Sequence, residues 1–260
     1  MRNAVIRSQS GPPKLLALLH SAPLLLAATG CQLHIFSPPA RTVALDAPRV
    51  LAPAETAIGA LGSSTQGIID SKVYGGTVVA RRGLVPGVEL QAEGSFYRVS
   101  APDFDKNPGA PQPRANPSLT LLAGRVGTKV ALFRNHLSLL GGVGGGHHAA
   151  GGFLTPDVGL TFGYDNPLFV PFVMGRVGVS QPIGAKAVDF SRTDEPPGSA
   201  LEKPITTYYY GFSIGGRIPI EPTGSAVKGG ILGGLSFQEL RDREDHINGL
   251  GFTLGAEVIF

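Results

Sequence analysis

The chain has no tryptophan, two methionines and one cysteine in 260 residues. A single cysteine excludes an intrachain disulfide, and with it the cross-linked framework of small secreted folds. Charge is scarce as well: Asp, Glu, Lys and Arg make up 16% of the chain, against about 25% in an average soluble domain. With 37 glycines, this composition suits neither a long-helix protein nor a domain washed by water on every face. A basic excess is also missing from most of the chain. Three of the 22 basic residues (Arg2, Arg7 and Lys14) precede Cys31, and none of the 19 acidic ones do, so the remainder carries nineteen of each. A nucleic-acid footprint needs a basic face or stripe; none is visible, and no nucleic-acid partner is expected.

A long uninterrupted apolar run is absent too. Leu15 to Ala28 is mostly apolar but is broken by His20 and Pro23, too short and too interrupted for a stable spanning helix. A basic start, an apolar middle and small residues before a cysteine follow the layout of an export signal. Leu24-Leu25-Leu26-Ala27-Ala28-Thr29-Gly30-Cys31 resembles the lipobox of bacterial lipoproteins, with Ala28 where that family prefers leucine. The resemblance implies a signal peptide over 1–30 and acylation, palmitate included, at Cys31. Each buried methylene of such an anchor is worth ~0.8 kcal/mol. Gln32 is not the aspartate that retains lipoproteins in the inner membrane, so the resemblance implies the outer membrane. Pro38, Pro39, Pro48 and Pro53 disfavour a helix or a central strand, and residues 31–56 read as the acylated N-terminus and a flexible linker.

Residues 57–260 change to period two. In Val88–Tyr97, Val88, Leu90, Ala92, Gly94 and Phe96 alternate with Glu89, Gln91, Glu93, Ser95 and Tyr97; a strand sends such alternate residues to opposite faces. The pattern predicts strands over 70–82, 87–99, 119–131, 136–145, 155–165, 168–180, 205–218, 228–239 and 248–260, and a weaker one over 54–64. Short connections (83–86, 132–135, 166–167, 219–227) alternate with longer ones (100–118, 146–154, 181–204, 240–247). This predicts an all-β, up-and-down antiparallel barrel of transmembrane type, with ten strands favoured over eight. Ten strands place the linker and Phe260 together on the short-turn side. The ending Leu254-Gly255-Ala256-Glu257-Val258-Ile259-Phe260 resembles the last strand of bacterial outer-membrane barrels.

Alternation alone does not say which face is inside. Sparse strand charge, and charged loops such as Arg241-Asp242-Arg243-Glu244-Asp245, favour apolar-out. A polar lumen then gathers Glu89, Glu93, Arg125, Lys129, Arg176, Arg217 and Glu257 into a structural charge network, with Glu257 facing Arg82. Tyr208 to Tyr210, at a strand start, fit an interfacial belt.

Chemistry-bearing motifs are weak. His147-His148 point to opposite faces if they lie on a strand, and share an ion with Asp157, Asp245 or His246 only in a loop. Ser138 near His136 lacks an evident carboxylate. Gly141–Gly146 has no Lys-Ser/Thr and no βαβ context. No catalytic residue, metal site or cofactor is expected. The favoured function is a non-enzymatic outer-membrane barrel lipoprotein with a structural, adhesive or envelope-complex role, contacting lipid through Cys31 and the barrel exterior. Protein partners would be met through loops 100–118 and 181–204. A small-solute channel of the same fold and a lipid-anchored soluble barrel for an apolar ligand remain open.

Overall fold

The computed structural model describes residues 36–41, 45–67, 72–100, 119–189, 191, 193–243 and 246–260. The expectations for the signal peptide, Cys31, and most of loop 100–118 fall outside them. The strands are β1 (Thr56–Gly67), β2 (Lys72–Val85), β3 (Val88–Ser100), β4 (Leu119–Phe133), β5 (Leu137–His148), β6 (Gly151–Gly163), β7 (Val170–Ile183), β8 (Val188–Asp189), β9 (Leu201–Glu202), β10 (Thr207–Ile220), β11 (Lys228–Arg241) and β12 (His246–Ile259). Ten of them close an antiparallel up-and-down barrel in which each pairs with its neighbours in sequence, while β8 and β9 form a separate two-stranded hairpin. The weak segment is real. β1 pairs with β12 from Ala57↔Ile259 to Gly67↔Gly249, closing the ring, so the count is ten.

Strands run longer than the pattern suggested. Residues 146–154, expected as a loop, are almost entirely strand: β5 and β6 stay paired to His148↔Gly151 around a turn at Ala149 and Ala150. At the opposite rim, Pro86 and Gly87 form the β2–β3 turn. Gly87 takes φ +79, a left-handed conformation that glycine adopts without a Cβ penalty.

The apolar face points outward. Leu90, Phe96, Phe212, Ile214 and Phe252 are 45–57% exposed, which removes the soluble barrel with an apolar interior. Charged residues in the outward register, Lys72, Arg82, Arg98, Glu239 and Arg241, keep to the ends of their strands. Among the described residues the interior holds four small apolar clusters: Ala40, Tyr97, Leu121 and Phe153; Leu45, Ala47 and Phe172; Leu51, Ala57 and Ile259; Leu140 and Met174. Three of these four need a residue that precedes β1.

Here the structure departs from the linker expectation. Residues 36–41 and 45–51 run through the lumen, and Ala52–Glu55 turn at the rim, where Ala54 N donates to Gly83 O. Phe36 bridges Ile205 beside the long β7–β10 connection, whereas Thr56 and Phe260 exchange backbone hydrogen bonds at the short-turn rim. The segment therefore enters at one rim and joins β1 at the other. Its prolines are compatible with this path because an axial thread requires no strand ladder. The carbonyls of Pro38, Asp46, Ala47 and Pro48 are taken up by barrel side chains instead.

Candidate functional site

The lumen is a lattice of ion pairs built on the strand register. Glu89 stands opposite Lys129, and Glu93 opposite Arg125. Arg125 Nη1 donates to Glu93 Oε1 at 2.8 Å, and its Nε and Nη2 donate to the two oxygens of Asp157, both at 2.8 Å. This is the two-pronged geometry that makes Arg–carboxylate pairs strong. Arg176 Nη2 reaches the same Asp157 at 2.8 Å. Across the lumen, Glu257 is likewise shared: Arg217 Nε donates to Oε1 at 2.6 Å, and Arg81 donates to Oε2. The seven lumen residues named from the sequence all face inward and lie in this lattice. Arg82 does not. It points outward and donates to Thr56 Oγ1, because β2 turns Thr77, Val79 and Arg81 inward and Val78, Ala80 and Arg82 outward.

The threaded segment completes the lattice. Beginning at the long-loop rim, Ser37 N donates to Thr207 Oγ1 at 2.9 Å, and Ser180 Oγ donates to the Pro38 carbonyl at 2.6 Å. Arg41 Nη1 donates to Glu93 Oε1 at 3.0 Å. Near the short-turn end, Asp46 accepts from Lys129 Nζ at 2.7 Å and from Gln91 Nε2 at 2.9 Å. The carbonyls of Asp46, Ala47 and Pro48 accept from Thr161, Lys129 and Ser138 at 2.7, 2.7 and 2.5 Å. Leu51 N donates to Glu89 Oε2 at 2.9 Å. Buried charges need such partners, since desolvation otherwise outweighs any attraction.

Glycines make the room. A Cβ on Gly142 would stand 2.5 Å from the Arg125 guanidinium, and one on Gly144 would stand 2.5 Å from Ala40 Cβ. Within the Gly141–Gly146 run, Gly142 and Gly144 thus serve the segment and its charged neighbour. A cavity of about 40 Å³ remains beside Arg41, Asp46, Arg81, Arg217 and Glu257, room for a few waters.

Sequence reasoning missed Arg41, Asp46, Arg81, Gln91 and Asp157 as lattice members. Asp157 and Gln91 were legible: each sits on the polar parity of its strand. Arg41 and Asp46 carry no periodic signal, because the segment has no regular structure. The other candidates are kept apart. His147 is exposed outside, while His148 is buried within, its Nδ1 accepting from Ala150 N. Ser138 is committed to Pro48, and His136 stacks on Tyr164. Asp157 is occupied by Arg125 and Arg176.

Outside, aromatic side chains gather toward both rims. Tyr74, Tyr208 and Tyr210 lie exposed on the long-loop side, and Phe133, Tyr164, Phe169 and Phe260 on the short-turn side; Tyr209 turns inward and is buried. Within 181–204, the β8–β9 hairpin is pinned by Asp189, which accepts from Ser191 N and Gly198 N.

A closed meander with an apolar outside and a charged, threaded inside is a β-barrel of the transmembrane type. No family model and no curated protein matches the chain. Among solved structures, it is similar to the N-terminal β-barrel domain of Pseudomonas aeruginosa OprF, at 10% identity over 81% of this chain and 100% of that one, TM-score 0.36. It is similar to Neisserial surface protein A, at 10% identity over 79% and 94%, TM-score 0.36. It is also similar to the Escherichia coli outer membrane protease OmpT, at 14% identity over 82% and 99%, TM-score 0.38. The fold itself is read from the strand order and register above.

Proposed function

We propose that the protein is a non-enzymatic outer-membrane β-barrel lipoprotein, acylated at Cys31, that holds a structural, adhesive or complex-forming role at the envelope. The apolar exterior carries this reading. Strands of 12–15 residues exceed the 9–11 that a tilted strand needs to cross a bilayer core. Leu122 and Val126 stand 62% and 56% exposed on β4, and the aromatic rims match the interfacial girdles of membrane barrels. In water such a belt would be an aggregation surface. The lumen favours a structural role over a channel, because the threaded segment is tied into it at Arg41, Asp46, Pro48 and Leu51. Contacts with other envelope proteins are assigned to the long-loop rim, with the hairpin of 181–204 and the loop 100–118.

The test is membrane extraction combined with gel mobility. The protein should resist carbonate, shift mobility on boiling, incorporate labelled palmitate, and lose that label in Cys31→Ala. Release by carbonate without a heat shift would sink the barrel reading, and label persisting in Cys31→Ala would sink the anchor. Steady current in planar bilayers would replace the structural role with a channel.

A further inference from the structure

We infer that the β1–β5 side of the wall holds an anionic, phosphate-bearing lipid of the outer leaflet, with its acyl chain in a hollow of the outer surface and its phosphate between Lys72 and Arg98; this rests on the membrane-barrel reading above. The hollow has a volume of about 770 Å³, within the ~300–1,000 Å³ of sites that take small molecules. Val78, Phe96 and Leu122 stand around it, 50–62% exposed. Its floor lies where side chains are missing. Gly94 faces Val78 across the β2–β3 pair and Gly124 across the β3–β4 pair, and a Cβ on Gly94 would meet nothing within 4 Å. Gly76 faces Phe96 in the same way. An acyl chain lying here touches the wall beneath it and on either side, and each such contact adds attraction.

The charge above the hollow is of one sign. Toward the long-loop rim, Arg98 is the next outward residue after Phe96, and it stands opposite Tyr74 on β2 and Thr120 on β4. Lys72 is the next outward residue beyond Tyr74, a diagonal neighbour of Arg98 at about 7–8 Å. His147, opposite Leu122, borders the hollow on β5. All five polar side chains are exposed. Among the described residues, β1 to β6 turn no acidic side chain outward; on β11, at the same rim, Glu239 accompanies Arg241. Two cations side by side repel, and an anion between them removes the repulsion. A phosphate suits both, as a fork partner for Arg98 and a point-charge partner for Lys72, with the hydroxyls of Tyr74 and Thr120 as further donors. The longer loops of outer-membrane barrels are external, so this headgroup belongs to the outer leaflet. A second copy of the chain fits the hollow poorly. Two copies in one membrane pair about an axis along its normal, which sets Lys72 and Arg98 of each against their own kind.

The chain has no tryptophan, so one introduced indole reports without background. Phe96→Trp places it at the hollow, and Phe212→Trp places it on β10, where the native ring is 48% exposed. Each variant, first shown to keep its heat-modifiable mobility, is reconstituted in phosphatidylcholine vesicles containing a small fraction of phosphatidylglycerol. Bromine on the acyl chains of one lipid or the other is the quencher. The inference expects phosphatidylglycerol to quench Phe96→Trp at a roughly tenfold lower fraction than phosphatidylcholine does, and Phe212→Trp to show no preference. Lys72→Gln with Arg98→Gln should abolish the preference, and Lys72→Arg with Arg98→Lys should keep it. Equal quenching of Phe96→Trp by both lipids, the same preference at Phe212→Trp, or a preference that survives the loss of both cations overturns the inference and leaves the membrane barrel standing. Absence of quenching at both positions takes the apolar face out of hydrocarbon, and removes the parent reading and this one with it.

Discussion

Asp46→Asn tests the threaded lumen most directly, because it removes one charge and almost no volume. The Lys129 ammonium is fully buried and lies 2.7 Å from Asp46, with Glu89 at 3.7 Å as its other carboxylate. Removing one member of a buried pair destabilises by about 3–5 kcal/mol; Glu89 stays within reach of the amine, so the low end, about 3 kcal/mol, is expected. That corresponds to roughly a hundredfold shift in the unfolding equilibrium. Lys129→Met alone leaves Asp46 near Arg81, at 4.0 Å, and should have a similar effect. The double variant should lose less than the two single losses added together, since neither partner is then left as a buried charge facing a neutral group. The assay is urea unfolding in lipid vesicles, read by the heat-modifiable gel shift, as a double-mutant cycle. Single losses below about 1 kcal/mol, the range of solvent-exposed pairs, would mean that Asp46 is in water and that residues 45–51 do not occupy the lumen.

Three further outcomes follow from the same geometry. Gly144→Val should drive the segment from its seat, because its Cβ alone meets Ala40 at 2.5 Å. In a Cys31→Ser background, the thiol of Ala40→Cys should then react with a water-soluble maleimide many times faster than without the valine; equal rates would refute the packing. Val126→Arg, in the middle of β4 on the outward face, should lose about 2–4 kcal/mol in vesicles, the midplane cost of an arginine on a barrel's lipid face, and an unchanged urea midpoint would count against lipid contact. Glu257→Gln takes the carboxylate from Arg217 and one of three from Arg81, which keeps Glu89 at 3.5 Å and Asp46 at 4.0 Å, and should lower the temperature of the gel-mobility shift; an unchanged temperature would count against the lattice.

The barrel was legible because its period is simple. Val88 to Tyr97 alternates without a break, and the same parity that sends Leu90 to the exterior sends Glu89 and Glu93 to the lumen. The tenth strand was harder. Its face of Ile58, Ala60, Gly62 and Ser64 is small and weakly apolar, and its place is set by pairing with β12, some two hundred residues away. Arg82 was placed inside, next to Glu257, because a one-residue shift swaps the two faces of a strand, and Arg81 is the neighbour that does this work. The segment before β1 was read as a linker since proline density reports what a stretch cannot form and says nothing of where it lies. Its contacts with wall side chains locate it, those of Glu93, Lys129 and Glu89 among them.

A thread through a closed ring restricts the order in which the molecule is built. The seam joins β1 to β12, the two barrel strands farthest apart in sequence, and such distant closure is slow. If the seam zipped first, Arg41 and Asp46 would have to be dragged between side chains that had already found each other, shedding water with no partner waiting. Laying the segment across the open, curved sheet avoids this, because its charges meet Glu93 and Lys129 while the cup is still accessible. A wall closed in that order has the segment for a mandrel. A circular permutant that starts at β1 and carries residues 36–55 after Phe260 would present the mandrel last, to a wall that is already shut.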